Sequence, residues 1–379
     1  MKMNGFTCRV QLKNSVMMKK TRNNLQKTWA LLFFWGLCLL ATGRNHPAPE
    51  FVKNLSAPAF GVTSGTVVLL WDDVSEPDFM DEDFFQNPWT YEIYQDGIQI
   101  GSTTKRSYRV TGLSPGQTYQ FSVGCNKNTE KLFLDENTVK VTTKKAGKIF
   151  NVKDFGASGD GKKQDTEAIQ KTINTCEKGG TVLVPEGTYI VGGLTLKSDM
   201  TLEIAKGALI VFNGYNGTDL YPVTSTILPG MNGDTIEFQR PALIRGTNVH
   251  NLVITGEGTI DGNGETWWPN YPSGIEEING ISRPVLMVLA MCSEILIQGI
   301  TMQDPPFHSN YVMYGNDVIY SEVKFLKYST VPGRNGDALD PYACRNLIIT
   351  GCTFGNQDDS VALKGHENFA FNEYIFVRD

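Results

Sequence analysis

The side chains whose types and spacing could do chemistry lie between Asn335 and Gly365. Asn335-Gly336-Asp337-Ala338-Leu339-Asp340 is followed by Gln357-Asp358-Asp359-Ser360-Val361-Ala362-Leu363-Lys364. Aligning Asp337-Ala338-Leu339 with Asp359-Ser360-Val361 gives an offset of 359 − 337 = 22, the length of one coil in a stacked-strand repeat. Equivalent positions on successive coils lie about 4.8 Å apart. Asp337 and Asp359 should therefore stack on one face, with Asp358 beside them at the edge of the rung. Three carboxylates so close cannot all ionise easily, and repulsion should hold a proton on one of them. A protonated carboxyl beside an ionised one is what glycoside hydrolysis requires, since one donates to the leaving oxygen while the other activates water. Asp also caps backbone in turns, and clustered carboxylates bind calcium. Spacing alone leaves these readings open.

Elements able to position such a stack are present from Phe150 onward. Asn251-Leu-Val-Ile-Thr-Gly256, Glu294-Ile-Leu-Ile-Gln-Gly299, Asp317-Val-Ile-Tyr-Ser321 and Asn346-Leu-Ile-Ile-Thr-Gly351 can be laid over one another. With Leu252, Ile295, Val318 and Leu347 taken as equivalent, the numbering advances by 43, 23 and 29, and Ile375 continues the series with a step of 28. The shorter intervals are single coils of a parallel β-helix; the first is one coil with an insertion, or two coils. The repeated phrase, and few two-residue hairpin turns, weigh against a second sandwich. Asp165–Cys176 reads as an amphipathic helix with Ala168, Ile169, Ile173 and Cys176 on one face, closed by Gly179-Gly180. With Asn151–Gly156 it would cap the first rung.

Ahead of the stack, about Asn54 to Thr143 reads as short alternating strands around Thr66–Trp71, Thr90–Tyr94, Ser107–Val110, Thr118–Val123 and Thr138–Thr142, which favours a two-sheet sandwich. Leu113-Ser-Pro-Gly-Gln-Thr-Tyr119 resembles the corner of fibronectin type III domains, with Trp71 as the core tryptophan. The resemblance implies that the Tyr119 hydroxyl ties an inter-sheet crossing to nearby backbone. Residues 48–143 are assigned to this module and 144–149 to a linker. The acidic run Glu76–Phe85 reads as a solvated insertion.

Asn335-Gly-Asp337, Asp358-Asp359 in QDDSVALKG, and Gly256-Glu-Gly-Thr-Ile-Asp-Gly-Asn-Gly264 together resemble glycoside hydrolase family 28, the polygalacturonases. The resemblance runs from Phe150 to Asp379 and implies a right-handed parallel β-helix that hydrolyses α-1,4-galacturonide bonds in pectin with inversion. It also implies that neither metal nor cofactor is needed. By position Asp358 would be the general acid, Asp337 and Asp359 would hold and activate water, and Asn335 would fix the geometry beside them. Lys364 and Asn310 are the candidate substrate contacts. The fold expected is thus all-β, a right-handed parallel β-helix preceded by an immunoglobulin-like sandwich. The sandwich resembles that of some exo-acting members. Three departures stand out. The family usually has Thr where Gly336 stands and Gly where Gln357 stands. In Pro305-Pro-Phe-His-Ser-Asn310 the aromatic and His places hold Phe307 and Asn310, leaving His308 as a surface residue. The family's later Gly-His-Gly and Arg-x-Lys motifs do not occur before Asp379, so the chain reads as an inactive fragment of an active protein. Alternatives are a rhamnogalacturonan hydrolase, where Glu would be expected in place of Asp359, a calcium-dependent pectate lyase, and a non-catalytic carbohydrate-binding β-helix.

Composition bounds the rest. The 379 residues carry 34 Lys+Arg against 40 Asp+Glu, a net charge of −6, which argues against general nucleic-acid binding. Residues 1–43 hold seven of the cations and no acid, so without them the net is −6 − 7 = −13. Lys19, Lys20, Arg22 and Lys27 precede the apolar run Trp29–Leu40, and Ala41-Thr42-Gly43 follows, the layout of a secretory signal whose start is Met1, Met17 or Met18. That run is shorter than the roughly 20 residues a membrane span needs. A secreted or periplasmic monomer acting on pectic polysaccharide or oligogalacturonides is expected. Cys125, Cys176, Cys292, Cys344 and Cys352 are irregularly spaced and form no disulfide or zinc framework.

Overall fold

The computed structural model describes residues 52–73, 90–126, 133–216, 224–229, 235–271, 277–278, 281–364 and 371–379. The basic leader, the acidic run 76–85 and His366 lie outside the described residues. Among the described residues no helix is long and apolar enough to cross a membrane.

Among the described residues, seven antiparallel strands form the first module. Val52–Ser56, Val67–Asp73 and Ser107–Val110 make a three-stranded sheet. Ile98–Thr103, Thr90–Gln95, Thr118–Asn126 and Phe133–Thr142 make a four-stranded one. The inward residues of both sheets, among them Trp71, Ile93, Phe121 and Val123, are fully buried. The Trp71 ring meets Tyr91 edge-on at 5.3 Å, a favoured aromatic geometry. The backbone N–H of Ser114 donates to the Tyr119 hydroxyl at 2.9 Å, a tie of the kind found at a tyrosine corner.

From Ile149 the chain winds into a right-handed parallel β-helix whose three faces have eight, seven and five strands among the described residues. The first face pairs Leu252 with Ile295, Ile295 with Val318, Val318 with Leu347 and Leu347 with Ile375. Since Leu252 pairs directly with Ile295, the long first interval is one coil carrying an insertion, which includes the short hairpin Glu277–Ile278 and Ile281–Ser282. The helix Thr166–Thr175 lies near the start of the stack, with Ile169 and Ile173 fully buried.

Each corner needs a left-handed residue. Asn251, Glu294, Asp317, Asn346 and Tyr374 stand one position before the paired apolar residues, with φ between 48° and 59°. Asn tolerates this region better than most residues, and here its amide also links rungs. Asn251 Nδ2 donates to Asp199 Oδ1 at 2.9 Å and Asn346 Nδ2 to Asp317 Oδ1 at 2.6 Å. At the other end of the strand Gly256 has φ 122°, and a Cβ there would lie 1.9 Å from the Ile204 carbonyl oxygen. Glycine is required at that approach.

In four consecutive first-face strands the middle apolar residue points out of the coil yet is buried. Val253, Leu296, Ile319 and Ile348 pack with Val68 and Leu70 of the sandwich, flanked by Phe60. Polar contacts ring this seam. Arg109 Nε donates to Glu322 Oε2 at 2.7 Å, Gln298 Nε2 to Thr66 Oγ1 at 2.9 Å and Lys144 Nζ to Asn251 Oδ1 at 3.0 Å.

Candidate active site

The third face carries the acidic motif. Strands Asn310–Met313 and Leu339–Tyr342 run parallel, pairing Tyr311 with Asp340 and Met313 with Tyr342. The next rung continues through the bridges Leu339 to Val361 and Tyr342 to Lys364. The register offset is 361 − 339 = 22, so Asp337 and Asp359 fall on adjacent rungs. The N–H of Ala338 donates to the Asp359 carbonyl at 2.9 Å. Period two then decides which side chains face out: Leu339 is buried in the central core, while Asp340 projects toward Tyr311 and the turn that precedes it.

Asp337 is 4% exposed and Asp340 fully buried, whereas Asp358 and Asp359 face water. Lys364 bridges the buried pair, its Nζ 2.9 Å from Asp337 Oδ2 and 3.6 Å from Asp340 Oδ1. His308 closes the other side. Its Nδ1 is 2.6 Å from Asp340 Oδ2 and its Nε2 is 3.7 Å from Asp337 Oδ1. Burial pushes the Asp340 carboxyl up to about 7, against the opposing pull of the Lys364 ammonium. Burial by itself would lower the Lys364 ammonium, but the Asp337 hydrogen bond and the Asp340 charge outweigh it and raise it. His308, Asp337 and Asp340 bring one nitrogen and two carboxylates within 4.8 Å of one another, a spacing a cation could use. The Lys364 ammonium already supplies positive charge between the two carboxylates.

Several sequence expectations change here. Asn310, expected to line the cleft, is fully buried on the inward side, its amide donating to Ser309 Oγ at 2.9 Å and toward Met302 Sδ at 3.1 Å. Alternation along its strand leaves no other direction. His308, expected on the surface, has a side chain only 13% exposed and stacks on Phe307 with ring centroids 4.0 Å apart. Lys364 reaches Asp337 rather than standing free for a substrate. Asn335 does sit beside the acids, in a left-handed conformation with φ 51°. Its Oδ1 accepts at 2.8 Å from Arg283, a residue 1% exposed whose guanidinium also donates to the Arg334 carbonyl at 3.1 Å. Arg283 and Asp340 escaped the sequence reading as site residues. Arg283 lies far upstream of Asn335, on an earlier rung, with no motif around it. Asp340 had only its place in the Asn335–Asp340 phrase.

The two departures at Gly336 and Gln357 meet in space. A Cβ on Gly336 would lie 2.7 Å from Gln357 Nε2, and one on Gly333 would fall inside the same amide. The Gln357 side chain fills the space that a side chain at 336 would need.

Comparison with known proteins agrees with this architecture. Residues 176–377 match the model of Glycosyl hydrolases family 28. The chain belongs to glycosyl hydrolase family 28. An exo-poly-alpha-D-galacturonosidase of Dickeya chrysanthemi is 26% identical over 88% of this chain and 64% of its own length. Exopolygalacturonase A of Aspergillus niger is 29% identical over 52% of this chain and 43% of its own. The chain therefore spans less than two thirds of these curated relatives. The solved family 28 exopolygalacturonase of Yersinia enterocolitica shares the fold, with a TM-score of 0.67 at 24% identity over 86% of this chain and 69% of that one.

Proposed function

We propose that this chain carries the catalytic rungs of an inverting hydrolase acting on α-1,4-galacturonide bonds of pectin or polygalacturonate. The observation that carries the reading is the one-rung register stacking Asp337 under Asp359, in a member of family 28. Asp358 is exposed at the rung's edge, where it can reach a glycosidic oxygen and donate its proton to the leaving group. Asp337 and Asp359 hold the water, and the base takes its proton as the oxygen attacks the anomeric carbon from the opposite side. Lys364 Nζ holds one Asp337 oxygen in place at 2.9 Å. Exo action is supported by the Dickeya relative. Its match covers 88% of this chain, more than the β-helix alone, and so reaches into the sandwich.

Asp358→Asn tests the reading. Reducing-sugar release from polygalacturonate is expected to fall by about 10²–10⁴-fold, the usual contribution of a general acid, while polysaccharide binding persists. Undiminished hydrolysis by the variant would refute the assignment of Asp358, and a wild type that binds but never cleaves would favour a carbohydrate-binding protein.

A further inference from the structure

We propose that His308, oriented by Asp340, is a positioning residue that clamps the Asp337 carboxylate from the side opposite Lys364. The inference rests on the hydrolase reading only for its kinetic consequence. The geometry resembles the logic by which a buried Asp fixes one imidazole nitrogen so that the other faces a reacting group. His308 is held by its ring nitrogen and by its ring face. Nδ1 lies 2.6 Å from Asp340 Oδ2 and 3.0 Å from the Tyr311 hydroxyl. One ring face stacks on Phe307 at 4.0 Å and an interplanar angle of 6°. Phe307 in turn carries the Arg283 guanidinium 4.8 Å from its centroid. The proton that burial keeps on Asp340 is donated to Nδ1, which leaves the ring hydrogen on Nε2, and Nε2 points at Asp337 Oδ1, 3.7 Å away. That is longer than a hydrogen bond, and apo contacts of this kind tighten when a substrate binds. Lys364 holds the second oxygen, Oδ2, at 2.9 Å. Asp337 therefore has a donor aimed at each oxygen, which sets its orientation.

The charged and titratable groups around His308 are Asp340, Asp337, Lys364, Tyr311 and, through Phe307, Arg283. Asp359 adds a charge that acts on Asp340 from the next rung. Removing His308 takes away the contact at Asp337 Oδ1 and leaves the carboxylate free to rotate about its tie to Lys364. A misplaced catalytic group commonly costs about tenfold to hundredfold in rate.

The experiment compares wild type with His308→Ala and His308→Gln in the full chain. Two readouts are taken: kcat and KM on oligogalacturonides, and the ¹³C carboxyl resonance of Asp337 at one fixed pH, assigned through Asp337→Asn. We expect His308→Ala to lose about tenfold to hundredfold in kcat with KM within twofold, and its Asp337 carboxyl resonance to move. His308→Gln, which can still present an amide donor, should recover most of both. An unmoved resonance with kcat within twofold in His308→Ala overturns the proposal, as does a glutamine variant no better than alanine in both readouts. If the wild type cleaves no pectic substrate yet the resonance moves, the hydrolase reading fails and the clamp stands.

Discussion

Asp340 offers the sharpest quantitative test, because its carboxyl is wholly buried and titrates far from its ordinary range. Burial raises it from 3.8 to about 7, and the side chain is 0% exposed. Between those values the native chain keeps a proton that the unfolded chain has released. Native stability therefore falls as pH rises through that window, present in full below about 4 and lost above about 7. At about 1.4 kcal/mol per pH unit the full span is worth about 4 kcal/mol, shared with the coupled Lys364 and His308. Asp340→Asn keeps the shape and removes the ionisation. Relative to wild type, the variant should gain about 2–4 kcal/mol in stability between pH 4 and pH 8. For a chain of this size about 2 °C per kcal/mol is appropriate, so the melting midpoints should diverge by about 4–8 °C. Melting both proteins at one heating rate across pH 4–8 gives the comparison, and the difference of differences cancels titrations elsewhere. A constant offset across that range, or a wild type that gains on the variant as pH rises, would refute the reasoning.

Two further substitutions probe the same rungs. Lys364→Met removes the ammonium shared by Asp337 and Asp340 and leaves both carboxylates facing each other in a buried setting. Stability at pH 8 should drop by about 2–4 kcal/mol, near the cost of breaking a buried pair, with much less loss at pH 4; equal losses at both pH values, read from denaturant midpoints, would contradict this. Gly336→Thr places a side chain against the Gln357 amide and should destabilise by about 1–3 kcal/mol through overpacking. Adding Gln357→Gly should restore most of that, so a double-mutant cycle that comes out additive would show the two positions to be independent.

The β-helix was legible from the chain because its corners and pairings repeat. Leu252, Ile295, Val318, Leu347 and Ile375 could be aligned from spacing alone, and they are the residues that pair. Three consecutive apolar residues per strand carried a second message that spacing did not decode. A strand buried on one face alternates, whereas a run such as Leu252-Val-Ile254 is buried on both. The inward pair fills the coil, and the middle residue meets the sandwich through Val68 and Leu70. Nothing local to Val253 says which surface will cover it. The Asp337–Asp359 register was equally legible, since a single coil separates the two.

The sequence by itself determined the repeat, the order of the acidic motifs and the family, because strand period and left-handed corner residues are local requirements written once per coil. Tertiary structure alone decided which way each side chain near the acids points and what meets it. Strand alternation buries Asn310 inside the coil. From an earlier rung the fold brings Arg283 to Asn335, and it closes His308 and Lys364 around Asp337 and Asp340. Those contacts depend on through-space distances and low-dielectric burial, which shift a carboxyl such as that of Asp340 by amounts no spacing rule encodes.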